Sequence, residues 1–193
     1  MIAAVILAAG ASSRMGAVKA LLLLDGETLL ERILRLARAS GAQRLIATLG
    51  PPHGERLAAA LPSGVEVAWN DDPSRGMLSS VQAALRVLAG VPGRGALLWP
   101  VDVPLVTAAT VQRLLSGDLS RLTAPCYKGR GGHPLWLPAA LYPEVLALPA
   151  SASLRTLRES HPLLRIPVED PGVLRDLDTP SDFARALAEL GQR

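Results

Sequence analysis

The sequence predicts an α/β fold with a mostly parallel central sheet that is covered by helices on both faces. Short apolar runs typical of strands alternate with longer amphipathic stretches typical of helices. The strand-like runs are apolar throughout, which indicates strands that are buried on both faces. The chain has 193 residues, of which 49% are hydrophobic and 19% charged, so it can bury a sizeable core. We therefore expect one three-layer α/β/α domain of Rossmann-like type over residues 1–193.

The first part of the chain shows this alternation most clearly. A strand is predicted for Ala3–Ala8 and an amphipathic helix for Thr28–Ser40. Further strands are predicted at RLIATLG, VEVAWN and GALLWPV, and further helices at GERLAAAL, MLSSVQAALRVLAG and TAATVQRLLSG. In such sheets, ligands bind beyond the carboxyl ends of the strands. We therefore expect the chemistry to lie in the segments that follow Leu7, Asn70 and Val101.

After Gly117 the alternation becomes less regular. Later strands are predicted at LTAPCY, HPLWLP and LLRIPV, and helical pieces at PAALYPEVLAL and SASLRTLRES. The stretch DTPSDFARALAEL predicts a last helix: Thr179 suits the N-cap, Pro180 suits the first helical position, and Asp182 stands where a capping-box acid is found.

Composition argues against several classes of partner. The formal net charge is only +3, no block of Lys and Arg is present, and aromatic residues make up 3%, so we expect no nucleic-acid ligand. Cys126 is the only cysteine, which excludes an intrachain disulfide and favours a reducing, cytoplasmic compartment. The apolar amino-terminal stretch is too short to span a bilayer and lacks the features of a signal peptide, so no membrane association is expected.

The segment LAAGASSRMGAVK, from Leu7 to Lys19, follows directly on the first predicted strand. Its small residues leave backbone N–H groups accessible, and consecutive N–H groups in a tight loop can bind an anion. Arg14 and Lys19 add positive charge. The glycine spacing matches neither the dinucleotide fingerprint nor the Walker A loop. Taken alone, a glycine-rich turn of this kind is more often an ordinary strand-to-helix connection, here with two surface cations.

The longer segment LAAGASSRMGAVKALLLLDGETLL resembles the opening signature of the MobA-like nucleotidyltransferases, and most of all the branch with the molybdenum cofactor cytidylyltransferases. Four later segments resemble motifs of this family in the same order: NDDPSRGMLSSVQAAL, PVDVPLV, GRGGHPLWLP and LRDLDTPSDF. The resemblance implies a fold of nucleotide-diphospho-sugar transferase type. It also implies transfer of CMP from CTP to molybdopterin or a related phosphorylated acceptor, with release of pyrophosphate.

The resemblance also implies roles for individual residues. Arg14, Lys19 and Asp102 are expected to be catalytic, and Asp102 and Asp178 to hold Mg²⁺. The acceptor is expected to contact Gly132, His133 and Pro134. The expected nucleotide contacts are small and polar residues of two segments: Leu7, Ala8, Ala9, Gly10, Ala11, Ser12, Ser13, Arg14, Lys19, Asn70, Gly76, Ser79 and Ser80. Ala9 stands where relatives that use GTP typically carry glycine, which favours CTP over GTP.

The two acidic positions each have a structural alternative. Asp102 follows an apolar strand, and Mg²⁺ needs only one or two protein carboxylates beside phosphates and water. An aspartate just before Pro104 could instead only cap a turn. Asp176 and Asp178 point the same way on an extended segment, and Asp178 matches the family's metal ligand better. Asp176 could bind the loop, and Asp182 is expected to cap the last helix.

The expected polar contacts to substrate have alternatives too. Ser79 and Ser80 could contact the base or ribose, but they could equally satisfy free N–H groups at the start of a helix. His133 is expected to be exposed on a mobile loop, because Gly131, Gly132 and Pro134 surround it. No pattern of residues supports a zinc site.

One departure from the family leaves the second substrate open. Where the cytidylyltransferases usually have a Gly-Asp-x-Gly-Ala-Arg-like turn, this chain has PASASLRTL and keeps only Arg155. The acceptor could thus be a sugar phosphate, a methylerythritol phosphate or a phospho-hydroxyacid. A non-catalytic carrier that hands a nucleotide or cofactor to a molybdoenzyme is a further alternative. An NAD-dependent oxidoreductase is the weakest, because the loop lacks the required fingerprint.

Overall fold

The computed structural model describes residues 1–12 and 14–191. Within these residues, the strands and helices in chain order are β1 (Ile2–Leu7), β2 (Leu23–Leu24), β3 (Glu27–Thr28), α1 (Leu29–Ala39), β4 (Arg44–Leu49), α2 (Gly54–Ala59), β5 (Val65–Trp69), α3 (Met77–Leu88), β6 (Gly95–Pro100), α4 (Ala108–Leu115), β7 (Thr123–Tyr127), β8 (Arg130–Gly131), β9 (Leu135–Pro138), α5 (Tyr142–Ala147), α6 (Leu157–Ser160), β10 (Leu164–Pro167) and α7 (Pro180–Leu190). Short 3₁₀ helices cover Lys19–Leu21, Pro73–Arg75, Ala139–Leu141 and Pro171–Leu174.

The central sheet is mixed but mostly parallel, as predicted. Its strands lie in the order β10-β7-β9-β6-β1-β4-β5, and β8 pairs with the last two residues of β7. The pairs β6-β1, β1-β4, β4-β5 and β7-β10 are parallel. Leu7 at the end of β1 lies beside Pro100 at the end of β6, so the loops that follow these two strands emerge next to each other.

Strand β9 runs antiparallel to both β6 and β7, a direction that its apolar pattern did not predict. Leu135, the first residue of β9, lies opposite Leu98 near the carboxyl end of β6, whereas Pro138 lies opposite Gly95 at its beginning. The residues that precede β9 are therefore at the same edge of the sheet as the carboxyl ends of the parallel strands. This reversal brings Gly132–Pro134 to that edge.

Helices and apolar side chains cover both faces of the sheet. Alternate residues of β1 belong to two different hydrophobic clusters: Ala4 and Ile6 face α1, whereas Ala3 and Val5 face α3. Trp99 and Trp136 are fully buried, and their indole N–H groups donate to the carbonyls of Val103 and Leu119 at 2.9 and 3.0 Å. Burial of the strands on both faces explains why their sequences are apolar throughout.

Helix starts follow the predicted signals, with some differences elsewhere. Capping boxes begin α1, with Thr28 and Glu31, and α7, with Thr179 and Asp182, so Asp182 is a helix cap. The piece SASLRTLRES forms a helix only at 157–160. The β2-β3 hairpin was not predicted, because two-residue strands have no periodicity. No helix within residues 1–12 and 14–191 is both long and apolar enough to cross a membrane.

Asp170 ties the segment before α7 to the start of α4. Its side chain is buried, and Oδ2 accepts hydrogen bonds from the backbone N–H and hydroxyl of Thr107, both at 2.9 Å, and from the Thr110 hydroxyl at 2.7 Å. Oδ1 accepts from the N–H of Gly172 at 2.9 Å. Beyond this point Leu177 N–H donates to the carbonyl of Asp102 at 2.7 Å. These bonds fix residues 170–178 against the loop after β6.

We predict that Asp170→Ala lowers the free energy of unfolding by about 3 kcal/mol, because several buried donors lose their charged acceptor. Urea denaturation monitored by circular dichroism measures this change. Asp118→Ala is the matched control: Asp118 also accepts from an N–H two residues ahead, on Ser120, but at an exposed turn. A loss in Asp170→Ala no larger than that of the control would contradict this account.

Candidate active site

A cleft of about 230 Å³ opens at the carboxyl ends of β1 and β6. The loop after β1, the segment before α3 and the turn after β6 form its walls, so the segments after Leu7, Asn70 and Val101 meet here as expected. Nine of the expected site residues line it: Leu7, Ala8, Ala9, Gly10, Ser12, Lys19, Gly76, Ser80 and Asp102. Its lining also includes the apolar residues Val18, Met77 and Val101.

The loop after β1 turns back so that Lys19 faces the cleft. Ser12 has a positive φ of 53°, and its carbonyl accepts from the N–H of Met15 at 3.0 Å. The Ser12 hydroxyl accepts from the N–H of Lys19 at 3.1 Å, where a 3₁₀ helix begins. A methyl group added at Gly10 would meet no atom within 4 Å, so the cleft is open beside this glycine. Of the expected nucleotide contacts, Ser13 lies outside the described residues.

Four charged side chains meet at the edge of the cleft: Lys19 and Asp102 line it, and Arg14 and Asp178 lie beside them. The Lys19 ammonium, whose side chain is only 10% exposed, donates a hydrogen bond to Oδ1 of Asp178 and lies 3.6 Å from Oδ2 of Asp102. The exposed guanidinium of Arg14 lies 2.8 Å from Oδ2 of Asp178. The structure thus brings together the expected catalytic and metal-binding residues, which come from distant parts of the chain.

The pKa values of two aspartates in this turn are shifted in opposite directions. The hydrogen bond from Lys19, with the charges of Lys19 and Arg14, lowers the pKa of Asp178, so this carboxylate stays ionised at neutral pH. Asp176 remains open to solvent, yet loss of hydration, followed by the charges of Asp102 and Asp178, raises its pKa. Of the two carboxyl groups, that of Asp178 is therefore the more readily ionised.

The oxygens of Asp102 and Asp178 are suitable for a hard divalent cation. Both carboxylates approach one small cationic group, the Lys19 ammonium, so they are close enough to share a cation. Across residues 1–12 and 14–191, no group of three or more His, Cys, Asp or Glu side chains is arranged to hold a metal. Two carboxylates fit Mg²⁺ or Mn²⁺ when phosphate oxygens and water complete the coordination.

Asn70 organises the start of α3 at the other wall of the cleft. Its buried amide N–H group donates to the hydroxyls of Ser79 and Ser80, both at 2.9 Å, and its oxygen accepts from the N–H of Asp72 at 3.2 Å. Ser79 also donates to the carbonyl of Gly76 at 2.8 Å. Asn70, Ser79 and Ser80 therefore support the local structure through these bonds, and Ser80 also lines the cleft.

His133 corrects one expectation, because its side chain is not exposed. The imidazole is half-buried, and Nδ1 is inaccessible and has no hydrogen-bond partner among the described residues. The N–H of His133 donates to the carbonyl of Val173 at 2.9 Å, and a methyl group at Gly132 would lie 2.2 Å from the same oxygen. Burial lowers the pKa of His133, although the Asp102 carboxylate raises it, so the ring is neutral at pH 7. Pro134 is buried.

Sequence reasoning missed the apolar part of the cleft. Pro73, Met77, Pro100 and Val101 line it, and Met77 is 49% exposed at the first position of α3. The sequence indicated them only by position, since each is within three residues of an expected site residue: Asn70, Gly76 or Asp102. Such a surface can pack against the flat face of a base or the carbon atoms of a ribose.

Comparisons with curated proteins give relatives of two nucleotide preferences. The chain is 35% identical over 150 residues to a probable molybdenum cofactor guanylyltransferase of Opitutus terrae, covering 74% of this chain and 66% of that protein. It is 27% identical to the molybdenum cofactor cytidylyltransferase of Escherichia coli, covering 94% and 93%. It is 30% identical to the molybdenum cofactor guanylyltransferase of Rhodobacter capsulatus, covering 99% and 97%.

Solved structures agree with the fold described above. The crystal structure of Rv0371c from Mycobacterium tuberculosis H37Rv matches with a TM-score of 0.85 and 32% identity over 97% of each chain. A manganese complex of the same protein matches with a TM-score of 0.80 and 30% identity, over 97% of this chain and 98% of that one.

A family model confirms the resemblance found in the motifs. The model of the MobA-like NTP transferase domain matches residues 4–165, which include the loop after β1, the start of α3, the turn after β6 and His133. The charged cluster, the mostly parallel sheet and the relatives all point to the same class of enzyme. The chain belongs to the MobA-like NTP transferase family and is a nucleotidyltransferase.

Proposed function

We propose that this protein transfers CMP from CTP to molybdopterin, or a closely related phosphorylated acceptor, in a reaction that requires a divalent metal and releases pyrophosphate. The observation that carries the proposal is the cluster of Arg14, Lys19, Asp102 and Asp178 at one cleft. It combines cations for a triphosphate with carboxylates for a metal. Relatives named for molybdenum cofactor nucleotidyl transfer support the acceptor.

In this reaction an acceptor phosphate oxygen attacks the α-phosphorus, and the bond from that phosphorus to the bridging oxygen of pyrophosphate breaks. The protein contributes alignment and charge neutralisation rather than covalent chemistry. Arg14 suits two phosphate oxygens at once, whereas Lys19 supplies a compact charge. Asp102 and Asp178 would hold Mg²⁺, which neutralises phosphate charge when bound.

The nucleotide is proposed to bind along the loop after β1 and the start of α3. Backbone N–H groups of the Gly10 region would contact phosphates, while Gly76 and Ser80 would face the ribose or base. The acceptor is proposed to bind at Gly132, His133 and Pro134, which β9 places at the same sheet edge. A neutral His133 would contact the acceptor as a hydrogen-bonding group rather than as a charge.

The proposal also covers the domain organisation, the compartment and the partner of the enzyme. Residues 1–193 would act as a single nucleotidyltransferase domain. The enzyme would work in the cytoplasm, in keeping with its single cysteine, Cys126. Its dinucleotide product would pass to a molybdoenzyme partner.

Pyrophosphate release is the direct test of the proposed function. Purified protein with Mg²⁺ or Mn²⁺ is offered CTP, GTP, ATP or UTP, each with molybdopterin, a sugar phosphate, methylerythritol phosphate or a phospho-hydroxyacid. The proposal expects the fastest release with CTP and molybdopterin. Faster release with another acceptor would assign the enzyme to that substrate instead.

We predict that Asp102→Asn lowers kcat at least 100-fold with either metal, because one metal-binding carboxylate is lost, while circular dichroism shows an unchanged fold. The pyrophosphate assay measures the change. Asp118→Asn, a neutral substitution at a surface turn away from the cleft, serves as the control and should retain full activity. Near-normal turnover of Asp102→Asn would remove this residue from the metal site.

We predict that Ala9→Gly relaxes the preference for CTP over GTP. Ala9 is 4% exposed and lines the cleft, so its methyl group narrows the space beside the loop, where a purine needs more room than a pyrimidine. A steric difference of this kind is worth about 1–3 kcal/mol, which gives preference rather than exclusion. Competition between CTP and GTP measures the ratio of kcat/KM. A wild-type protein that prefers GTP would contradict both the base assignment and the cytidylyl transfer.

We predict that His133→Ala raises the KM for the acceptor about tenfold and leaves nucleotide affinity nearly unchanged, because His133 belongs to the loop before β9 and not to the nucleotide loop. Steady-state kinetics give the KM, and calorimetry gives nucleotide affinity. His161→Ala is the control, since His161 pairs with Glu144 away from the cleft. A loss of nucleotide affinity in His133→Ala would place this loop on the nucleotide side.

A further inference from the structure

Asp178 contacts both cations of the candidate active site. Its Oδ1 accepts from the buried ammonium of Lys19, and its Oδ2 pairs with the guanidinium of Arg14 at 2.8 Å. Lys19 also lies 3.6 Å from Asp102. Because these cations are the groups proposed to bind the triphosphate, the triphosphate has to compete with a carboxylate of the protein for them.

The charges of Arg14, Lys19, Asp102 and Asp178 cancel. A neutral cluster attracts a polyanion weakly, since each cation must give up a charge-assisted hydrogen bond before it can form one to phosphate. This cost is greatest for Lys19, because its buried side chain gains little hydration when it leaves a carboxylate. The affinity for nucleotide therefore depends on what else binds Asp178.

A divalent cation is the natural competitor for Asp178, because carboxylates are hard oxygen ligands. A carboxylate that shares its charge with a metal holds an ammonium or guanidinium less firmly. We propose that Asp178 is a positioning residue with alternating partners: it holds Arg14 and Lys19 until a metal binds the carboxylates, and it then releases both side chains to the triphosphate. The inference rests on the proposed function and adds to it a coupling between metal and nucleotide that lies within the protein.

This coupling predicts that removing an acidic residue strengthens nucleotide binding. In calorimetric titrations with CTP in EDTA, Asp178→Asn should bind CTP about tenfold more tightly than the wild type, because Arg14 and Lys19 lose their charged partner. Addition of Mn²⁺ should improve CTP affinity strongly in the wild type and much less in the variant.

Asp176→Asn is the matched control. It removes a carboxylate two residues away in the same turn; Asp176 is near enough to Lys19 and Arg14 to feel their charges, but among the described residues it forms neither a hydrogen bond nor an ion pair with either. Its affinity for CTP in EDTA should change by no more than about twofold. Unchanged or weaker binding in Asp178→Asn, or an equal gain in both variants, would overturn the inference.

A second variant tests the same coupling from the metal side, without nucleotide. Coupling between two sites is reciprocal, so removal of the competing ammonium in Lys19→Met should tighten Mn²⁺ binding at least threefold, as measured by electron paramagnetic resonance. Lys128→Met, on the exposed turn between β7 and β8, is the control and should leave Mn²⁺ affinity unchanged. Unchanged Mn²⁺ affinity in Lys19→Met would overturn the inference.

The outcomes separate this inference from the proposed function. If the wild type binds CTP with Mn²⁺ but Asp178→Asn gains nothing in EDTA, the coupling through Asp178 is wrong and the nucleotidyl transfer stands. If the wild type binds CTP neither with Mn²⁺ nor in EDTA, the proposed nucleotide is wrong and the inference falls with it.

Discussion

The buried ammonium of Lys19 is the constraint on which the arrangement of the cleft depends. A buried charge is stable only when opposite charges and hydrogen bonds surround it. The partners of Lys19 come from two other parts of the chain: Asp102 from the turn after β6 and Asp178, 159 residues away in sequence. The fold must therefore bring three distant segments to one point.

Two features of the fold meet this requirement. Parallel pairing of β1 with β6 places the loop of Lys19 beside the turn of Asp102. The third segment follows the sheet's edge strand β10 and is held by side-chain and backbone bonds instead, through Asp170 at its beginning and through Leu177 N–H on the carbonyl of Asp102 near its end. Asp178 is thus positioned by the backbone of Asp102, the other carboxylate that faces Lys19.

Much of the fold could be predicted from the sequence because its determinants are local. The apolar strands, the amphipathic helices and the capping boxes at Thr28 and Thr179 depend on residues within a few positions of one another. The direction of β9 could not be predicted, because the apolar pattern of Leu135–Pro138 reports burial and is the same for either direction. The exposure of His133 was wrong for a related reason: the glycines beside it suggested a free loop, but the 3₁₀ helix at Pro171–Leu174 covers it.

The candidate site likewise has features that could be predicted from the sequence and features that could not. The acidic and basic residues were found from motifs, each of which is short and continuous in sequence. The ion pairs between these residues could not be predicted, because each pair joins two separate motifs. The apolar wall at Pro73 and Met77 could not be predicted either, because these side chains carry no charged or polar group that points to a site. That Asn70 holds both Ser79 and Ser80, and that only Ser80 of the three lines the cleft, required the structure itself.

The charged cluster of Arg14, Lys19, Asp102 and Asp178 lies between the two surfaces that are proposed to bind the two substrates. On one side are the loop after β1 and the start of α3, which offer backbone N–H groups, Ser80 and apolar walls. On the other side is the loop of His133, where burial lowers the pKa of the ring and the Asp102 carboxylate is close enough to oppose that shift in part. In the proposed transfer the reacting atoms of two phosphorylated substrates meet, so their negative charge has to be neutralised at that point. Lys19 would balance that charge directly, and Asp102 and Asp178 would do so through a metal, while the ion pairs among these three residues hold the three segments of the site together.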